Sequence, residues 1–181
     1  MAELAALQPH SDLGTLRREL AYGYRILGQA GLGRGLLAHL TARLPGSDTF
    51  WSYQFGQSVE EVRISDLREV NADIEVVSGD GMVNPTLKIH ALAYAARPDI
   101  NCIAHHHGDN SVAMGAIGAN LQPFDRNSAR WQGLVDIIED YDNTHRIAEQ
   151  GNAILDVLGG DKRALILKHH GRLSFVLIDL A

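Results

Sequence analysis

Along the first third of the chain the apolar positions Leu13, Leu16, Leu20, Tyr24 and Leu27 recur at intervals of 3, 4, 4 and 3, the spacing that keeps one face of an α-helix apolar. Ser11 or Asp12 can cap its start, and the glycines from Gly28 onward stop it. Leu36 to Leu44 reads as a strand closed by the turn Pro45, Gly46, Ser47, Asp48, and Thr49 to Phe55 as an aromatic-rich partner, which together predict a hairpin. Ser65 with Asp66 can cap a short helical turn ahead of a strand from Asp73 to Val77, ended by Gly79, Asp80 and Gly81. Asn84 followed by Pro85 suits an N-cap and first helical position. That helix should run to about Ala96, because Pro98 disfavours helical geometry at Arg97. A strand from Asn101 to His107 follows, then a helix from Asp109 or Asn110. Later, Asn143 or Thr144 caps a helix carrying Ile147, Ile154, Leu155 and Leu158, stopped by Gly159 and Gly160. Arg163 to Lys168 is nearly all apolar, as a strand buried on both faces would be. Helices and strands alternate, which predicts a layered α/β domain rather than a bundle or a sandwich.

Composition narrows this without changing it. The chain has 181 residues, 45% hydrophobic and 21% charged, with no repeat, low-complexity tract or Pro/Ser-rich linker, so residues 1–181 are expected to form a single domain. The formal net charge of −6 and the lack of any concentrated basic stretch argue against a nucleic-acid partner. A lone cysteine, Cys102, cannot form an internal disulfide. The start MAELAALQPH lacks the features of a signal peptide, and no apolar run approaches the roughly 20 residues of a membrane span. A cytoplasmic location is the expectation.

Chemistry is concentrated in the histidines. Five of the nine fall in two tight groups, His105, His106, His107 and His169, His170. On an extended strand His105 and His107 project from one face and His106 from the other. A lone H-x-H is often two ordinary histidines, but the second group offers His170, at the end of a separate buried strand, as a third ligand. Three neutral imidazoles at about 2.1 Å with open positions for water or substrate make a catalytic zinc site, and such a site can also hold Fe(II), Mn or Co. His39 is either a satisfied core histidine or a site residue, and its spacing leaves both open. His90 reads as packed, and His10 and His145 carry no assigned role. Gly28, Gly31, Gly33 and Gly35 do not space as a dinucleotide loop, and there is no phosphate loop or nucleophile elbow.

Taken together, HLTARLPG (His39 to Gly46), ISDLREV (Ile64 to Val70), VNPTLKIHALAYAARPDINCIAHHH (Val83 to His107) and LILKHHG (Leu165 to Gly171) resemble the class II aldolase/adducin family. The resemblance spans roughly Leu16 to Leu173. It implies a three-layer α/β/α fold around a mainly antiparallel central sheet, and homo-oligomers, tetramers or dimers, with active sites at subunit interfaces. It also implies a divalent metal on His105, His107 and His170. The sugar-phosphate aldolases of the family share a Gly-Asn-x-Ser phosphate loop, where this chain has Ala38, His39, Leu40 and Thr41. They also place a glutamate acid/base four residues before the helical histidine, where this chain has Thr86. A threonine hydroxyl does not take a proton at neutral pH as a carboxylate does. The C-terminus is shorter than is usual for the family.

The expected function is therefore a divalent-metal-dependent enzyme acting on a small unphosphorylated hydroxy-carbonyl or keto-acid substrate, as a carbon–carbon lyase or decarboxylase. Zn2+ is the first candidate ion, with Fe2+ or Mn2+ as alternatives. Thr86 and Tyr141 are candidate catalytic residues, the latter a proton donor, and His39 and Lys88 candidate substrate-binding residues. One alternative is a non-haem Fe(II) oxygenase, because relatives in aminocoumarin biosynthesis cleave carbon–carbon bonds oxidatively. Another is an adducin-like interaction domain without catalysis.

Overall fold

The computed structural model describes residues 12–139 and 162–177. The helix predicted from the first periodicity is α1 (Leu13–Gln29), and its cap is Asp12, whose carboxylate accepts from the Thr15 amide at 2.7 Å. Strands β1 (His39–Ala42) and β2 (Phe50–Tyr53) form the expected antiparallel pair. β1 is shorter than its apolar run, because Leu36 and Leu37 stay exposed ahead of it.

The next segment differs from the expectation. The short helical turn lies at Ile64–Asp66 and is followed at once by a strand, β3 (Leu67–Val70), which the sequence pattern does not announce. The first half of the expected Asp73 to Val77 strand is a tight turn, and β4 is Val76–Ser78. The cause is Asn71, whose side-chain oxygen accepts from the amides of both Asp73 and Glu75 and folds the chain back.

Asn84 caps as predicted, accepting from the Thr86 amide at 3.0 Å. The helix begins as a 3₁₀ turn, Pro85–Leu87, and continues as α2 (Lys88–Ala96). Then come β5 (Ile100–His106), α3 (Asp109–Ala116), the short α4 (Arg126–Ala129), β6 (Val135–Ile138), β7 (Ala164–Leu167) and β8 (Arg172–Leu177). The helix expected after Asn143 lies outside the described residues, as do Tyr141, His10 and His145.

The eight strands make one sheet in the order β4-β3-β2-β1-β5-β8-β7-β6. Its neighbours pair antiparallel except β6 with β7, so the sheet is mixed and mainly antiparallel. Helices cover both faces. On one, Leu16, Leu20, Ala21 and Tyr24 of α1 pack on Leu40, Ala42, Trp51 and Tyr53. On the other, Leu87, Ile89, Ala93 and Tyr94 pack on Phe50, Val70, Ile103, Leu165 and Leu167. β7 alternates between them, Leu165 and Leu167 toward α2 and Ala164 and Ile166 toward a third cluster that includes Met114 of α3. This is the three-layer α/β/α arrangement. Burying both faces of β7 explains its continuous apolar run.

Candidate metal centre

Two neighbours in the sheet build the centre. β5 lies between β1 and β8, with His105 registered opposite His39 on one side and Leu173 on the other. Ile103 packs into the α2 core, so strand alternation carries His105 to that same face and His106 to the opposite one. The His107 amide, just past the strand, donates to the Leu32 carbonyl at 3.0 Å, which fixes the strand end.

His170 arrives from the turn joining β7 to β8. Leu167 donates to the Gly171 carbonyl at 2.8 Å and His170 to the Leu167 carbonyl at 3.0 Å, while His169 takes a left-handed φ of 59° at the exposed tip. The glycine after His170 has a steric reason. A Cβ at Gly171 would sit 2.7 Å from His107 Cδ2 and 2.8 Å from the His106 carbonyl oxygen. Only a residue without a side chain lets the turn close against the His107 ring.

The three rings meet through their Nε2 atoms. His105 Nε2 lies 2.8 Å from His107 Nε2 and 3.2 Å from His170 Nε2, and one nitrogen from each falls within 4.8 Å of the others. Burial pushes His170 down to about 4, with His107 adding to it, and holds His107 below its ordinary value. His105 is pushed well below it, first by burial and then by the surrounding histidines. All three are neutral imidazoles at pH 7, the form that binds metals.

Three such nitrogens aimed at each other satisfy hydrogen bonding poorly, since a neutral imidazole whose Nε2 lone pair points at the cluster must carry its proton on Nδ1. His105 Nδ1 is buried with no hydrogen-bond partner. A divalent cation between the Nε2 atoms removes the lone-pair conflict, so the donor set fits a three-histidine metal site with open positions. Among the described residues the cluster contains no carboxylate.

Of the remaining sequence candidates, His39 joins the centre, stacking on the His105 ring at 4.6 Å between centroids. Thr86 follows through its hydroxyl, 3.1 Å from His39 Nε2. Lys88 is turned elsewhere. Its amine donates to the Ala72 carbonyl at 2.8 Å and pairs with Asp73 at 3.5 Å. His106, on the other face, accepts from the Gly108 amide at 3.2 Å, and burial together with Arg172 lowers it to about 4.

Sequence reasoning passed over His90, Thr41 and Tyr94. His90 is fully buried, and both its ring nitrogens are engaged, Nε2 by His39 Nδ1 at 2.9 Å and Nδ1 by the Thr41 hydroxyl at 2.7 Å. The signal was present. Thr86 and His90 are four apart at the start of one helix, and His39 and Thr41 are two apart on one strand, so each pair shares a face.

The sequence profile of the Class II Aldolase and Adducin N-terminal domain matches residues 18–175. Alpha-adducin of Mus musculus is 31% identical over 165 residues, covering 88% of this chain and 22% of the mouse protein. A Streptomyces roseochromogenus subsp. oscitans protein named 4-hydroxy-3-prenylphenylpyruvate oxygenase/4-hydroxy-3-prenylbenzoate synthase is 29% identical over 140 residues, 76% of this chain and 50% of that one. Among solved structures, the L-fuculose 1-phosphate aldolase from Glaciozyma antarctica PI12 superposes with a TM-score of 0.80 at 28% identity, over 91% of this chain and 65% of the aldolase. The chain thus spans less than two thirds of each of these three proteins. Among the described residues no helix is long and apolar enough to cross a membrane. With the profile covering nearly all of the sheet and both helical layers, the chain belongs to the class II aldolase/adducin family.

Proposed function

We propose that the chain is a divalent-metal-dependent enzyme that cleaves or decarboxylates a small unphosphorylated hydroxy-carbonyl or keto-acid substrate. The observation that carries this reading is the convergence of three neutral Nε2 atoms from His105, His107 and His170, 2.8 and 3.2 Å from one another at His105. A divalent ion held there, Zn2+ first and Fe2+ or Mn2+ next, supplies Lewis-acid polarisation of a substrate oxygen. The chain's own groups orient the substrate. His39, stacked on His105, and the exposed Thr86 hydroxyl form the rim, and Tyr141, outside the described residues, is the candidate proton donor.

An unphosphorylated substrate is supported by Thr41. In the segment where the sugar-phosphate aldolases carry their phosphate loop, its hydroxyl is buried and faces His90 and Tyr94. His39, beside it, is held by His90 and Thr86. The Thr41 side chain is not free to bind a phosphate.

A second reading, a non-haem Fe(II) oxygenase, is favoured by the absence of a carboxylate from the described cluster and by the oxygenase name of the Streptomyces relative. Elemental analysis of untagged protein purified anaerobically, with His105→Ala, His107→Ala and His170→Ala beside it, separates these. Zinc or manganese lost in the variants supports the lyase, and turnover of hydroxy or keto acids under strict anaerobiosis follows from it. Iron, with oxygen uptake that needs added Fe(II), supports the oxygenase. A wild type that neither carries nor takes up metal overturns both and favours an adducin-like binding role.

A further inference from the structure

Behind His39 runs an unbroken chain of polar atoms whose protons can be placed one by one. It starts at Asn84. The Thr86 amide, which can only donate, lies 3.0 Å from the Asn84 side-chain atom, so that atom is the oxygen. The Thr86 hydroxyl, 2.7 Å from the same oxygen, must donate to it as well. A hydroxyl has one proton. His39 Nε2, 3.1 Å away, is therefore the donor to Thr86, and carries a hydrogen.

His39 carries only this one hydrogen: a second, on Nδ1, would make His90 Nε2 the acceptor and His90 Nδ1 the donor to Thr41, and would leave the buried Tyr94 proton without an acceptor. Its Nδ1 is consequently an acceptor, and His90 Nε2, at 2.9 Å, donates to it. By the same rule His90 Nδ1 accepts from the Thr41 hydroxyl at 2.7 Å. Thr41, having given its proton, accepts from the Tyr94 hydroxyl at 2.8 Å. Every hydrogen finds one acceptor. Run the other way, the chain would set two acceptors against each other at Thr86 and Asn84 and leave the buried Tyr94 proton without a place.

We propose that Thr41 and His90, backed by Tyr94 at the far end, form a buried positioning relay that locks His39 in its Nε2–H tautomer, so that the rim of the metal centre presents a hydrogen-bond donor and not a base. That hydrogen is held by the exposed Thr86 hydroxyl at 3.1 Å, and the group that would take Thr86's place is an oxygen acceptor on the substrate, a carboxylate or a carbonyl oxygen gaining negative charge. That last step rests on the proposed function; the relay itself does not.

The test is long-range proton–nitrogen correlation NMR on metal-free protein labelled with nitrogen-15 in its histidines, at neutral pH. His39 and His90 should each show a protonated Nε2 and an unprotonated Nδ1. Thr41→Val removes the donor to His90 Nδ1, and the nitrogen shifts of both rings should move toward averaged values. Thr41→Ser should restore the wild-type pattern, and Tyr94→Phe should leave it intact, because Thr41 keeps its own proton. A protonated Nδ1 on His39 in the wild type overturns the relay, and that spectrum needs no variant to fold. A folded Thr41→Val with unchanged tautomers overturns it too. In zinc-loaded protein, glycolate should shift the His39 Nε2 proton. A locked tautomer with no response to glycolate keeps the relay and counts against the substrate assignment alone.

Discussion

Two groups of histidines lie side by side on the α2 face of the sheet, and hydrogen bonding treats them in opposite ways. In the pair His39 and His90 each ring nitrogen has one partner of the right kind, running out through Thr86 to Asn84 and through Thr41 to Tyr94. In the triad His105, His107 and His170 the Nε2 atoms face one another, His105 at 2.8 Å from His107 and 3.2 Å from His170, so that His105 Nε2 meets two ring nitrogens at once. The rings of His39 and His105 are stacked and buried with His90, while His107 and His170 are half-buried. The difference lies in what surrounds them. Hydroxyls and an amide end the first chain, whereas in the second the Nε2 atoms meet one another beside a close-approaching glycine. A satisfied network makes a rigid wall, and an unsatisfied one of the same residue type makes a place for a cation.

Removing a triad member should have the largest effect. His170→Ala is expected to weaken metal binding by about 100-fold or more, since even partners outside the ligand set are worth ~10–100-fold. The fold should persist, and metal content by mass spectrometry beside circular dichroism checks both. Gly171→Ala comes next, because its methyl group would press on the His107 ring at 2.7 Å. A loss of about 10-fold in metal affinity is expected, that of a displaced but present ligand, measured by competition with a chelator. Unchanged affinity would mean the turn relaxes freely and the glycine is not needed for closure.

The relay responds in stability instead. His90→Phe leaves His39 Nδ1 and Thr41 without their buried partner and should cost about 2–6 kcal/mol, from ~1–3 kcal/mol for each group stranded. Urea unfolding of the metal-free protein measures it. A loss of less than about 1 kcal/mol would deny that the relay is a tightly satisfied network.

Acid should act on both groups in the same direction. His39, His90 and His105 are held well below the ordinary imidazole value of 6.5, and His170 at about 4, chiefly by burial. The unfolded chain therefore binds protons that the folded one refuses. Stability of the metal-free protein is complete above about pH 6.5 and falls as the pH drops toward 4, by up to about 1.4 kcal/mol per pH unit for each histidine. Unfolding midpoints flat across that window would show the histidines charged in the native state. The smallest effect is expected at His106. His106→Gln alters one partner of the Gly108 amide on the opposite face, so metal content should not change and the cost should be about 1 kcal/mol.

Much of this was legible in the chain. Helical spacing located α1, Asn84-Pro85 located the start of the helical segment that leads into α2, and the apolar run at 163–168 marked the doubly buried β7. Alternation placed His105 and His107 together, and the second histidine group named His170. Periodicity and caps are local, so the sequence carries them whole. Other features needed the fold. β3, with its mixed residues LREV, is a strand because β2 and β4 flank it, and the turn at Asn71 consumed half of the strand expected there. His39, between two readings on spacing alone, owes its place beside the triad to its register opposite His105 and its partner to His90 arriving from α2. Which residue types the centre contains was written in the sequence. Which nitrogen of each ring meets which partner depends on strands and a helix far apart along the chain, and a one-residue change of register would turn every side chain of a strand to the other face.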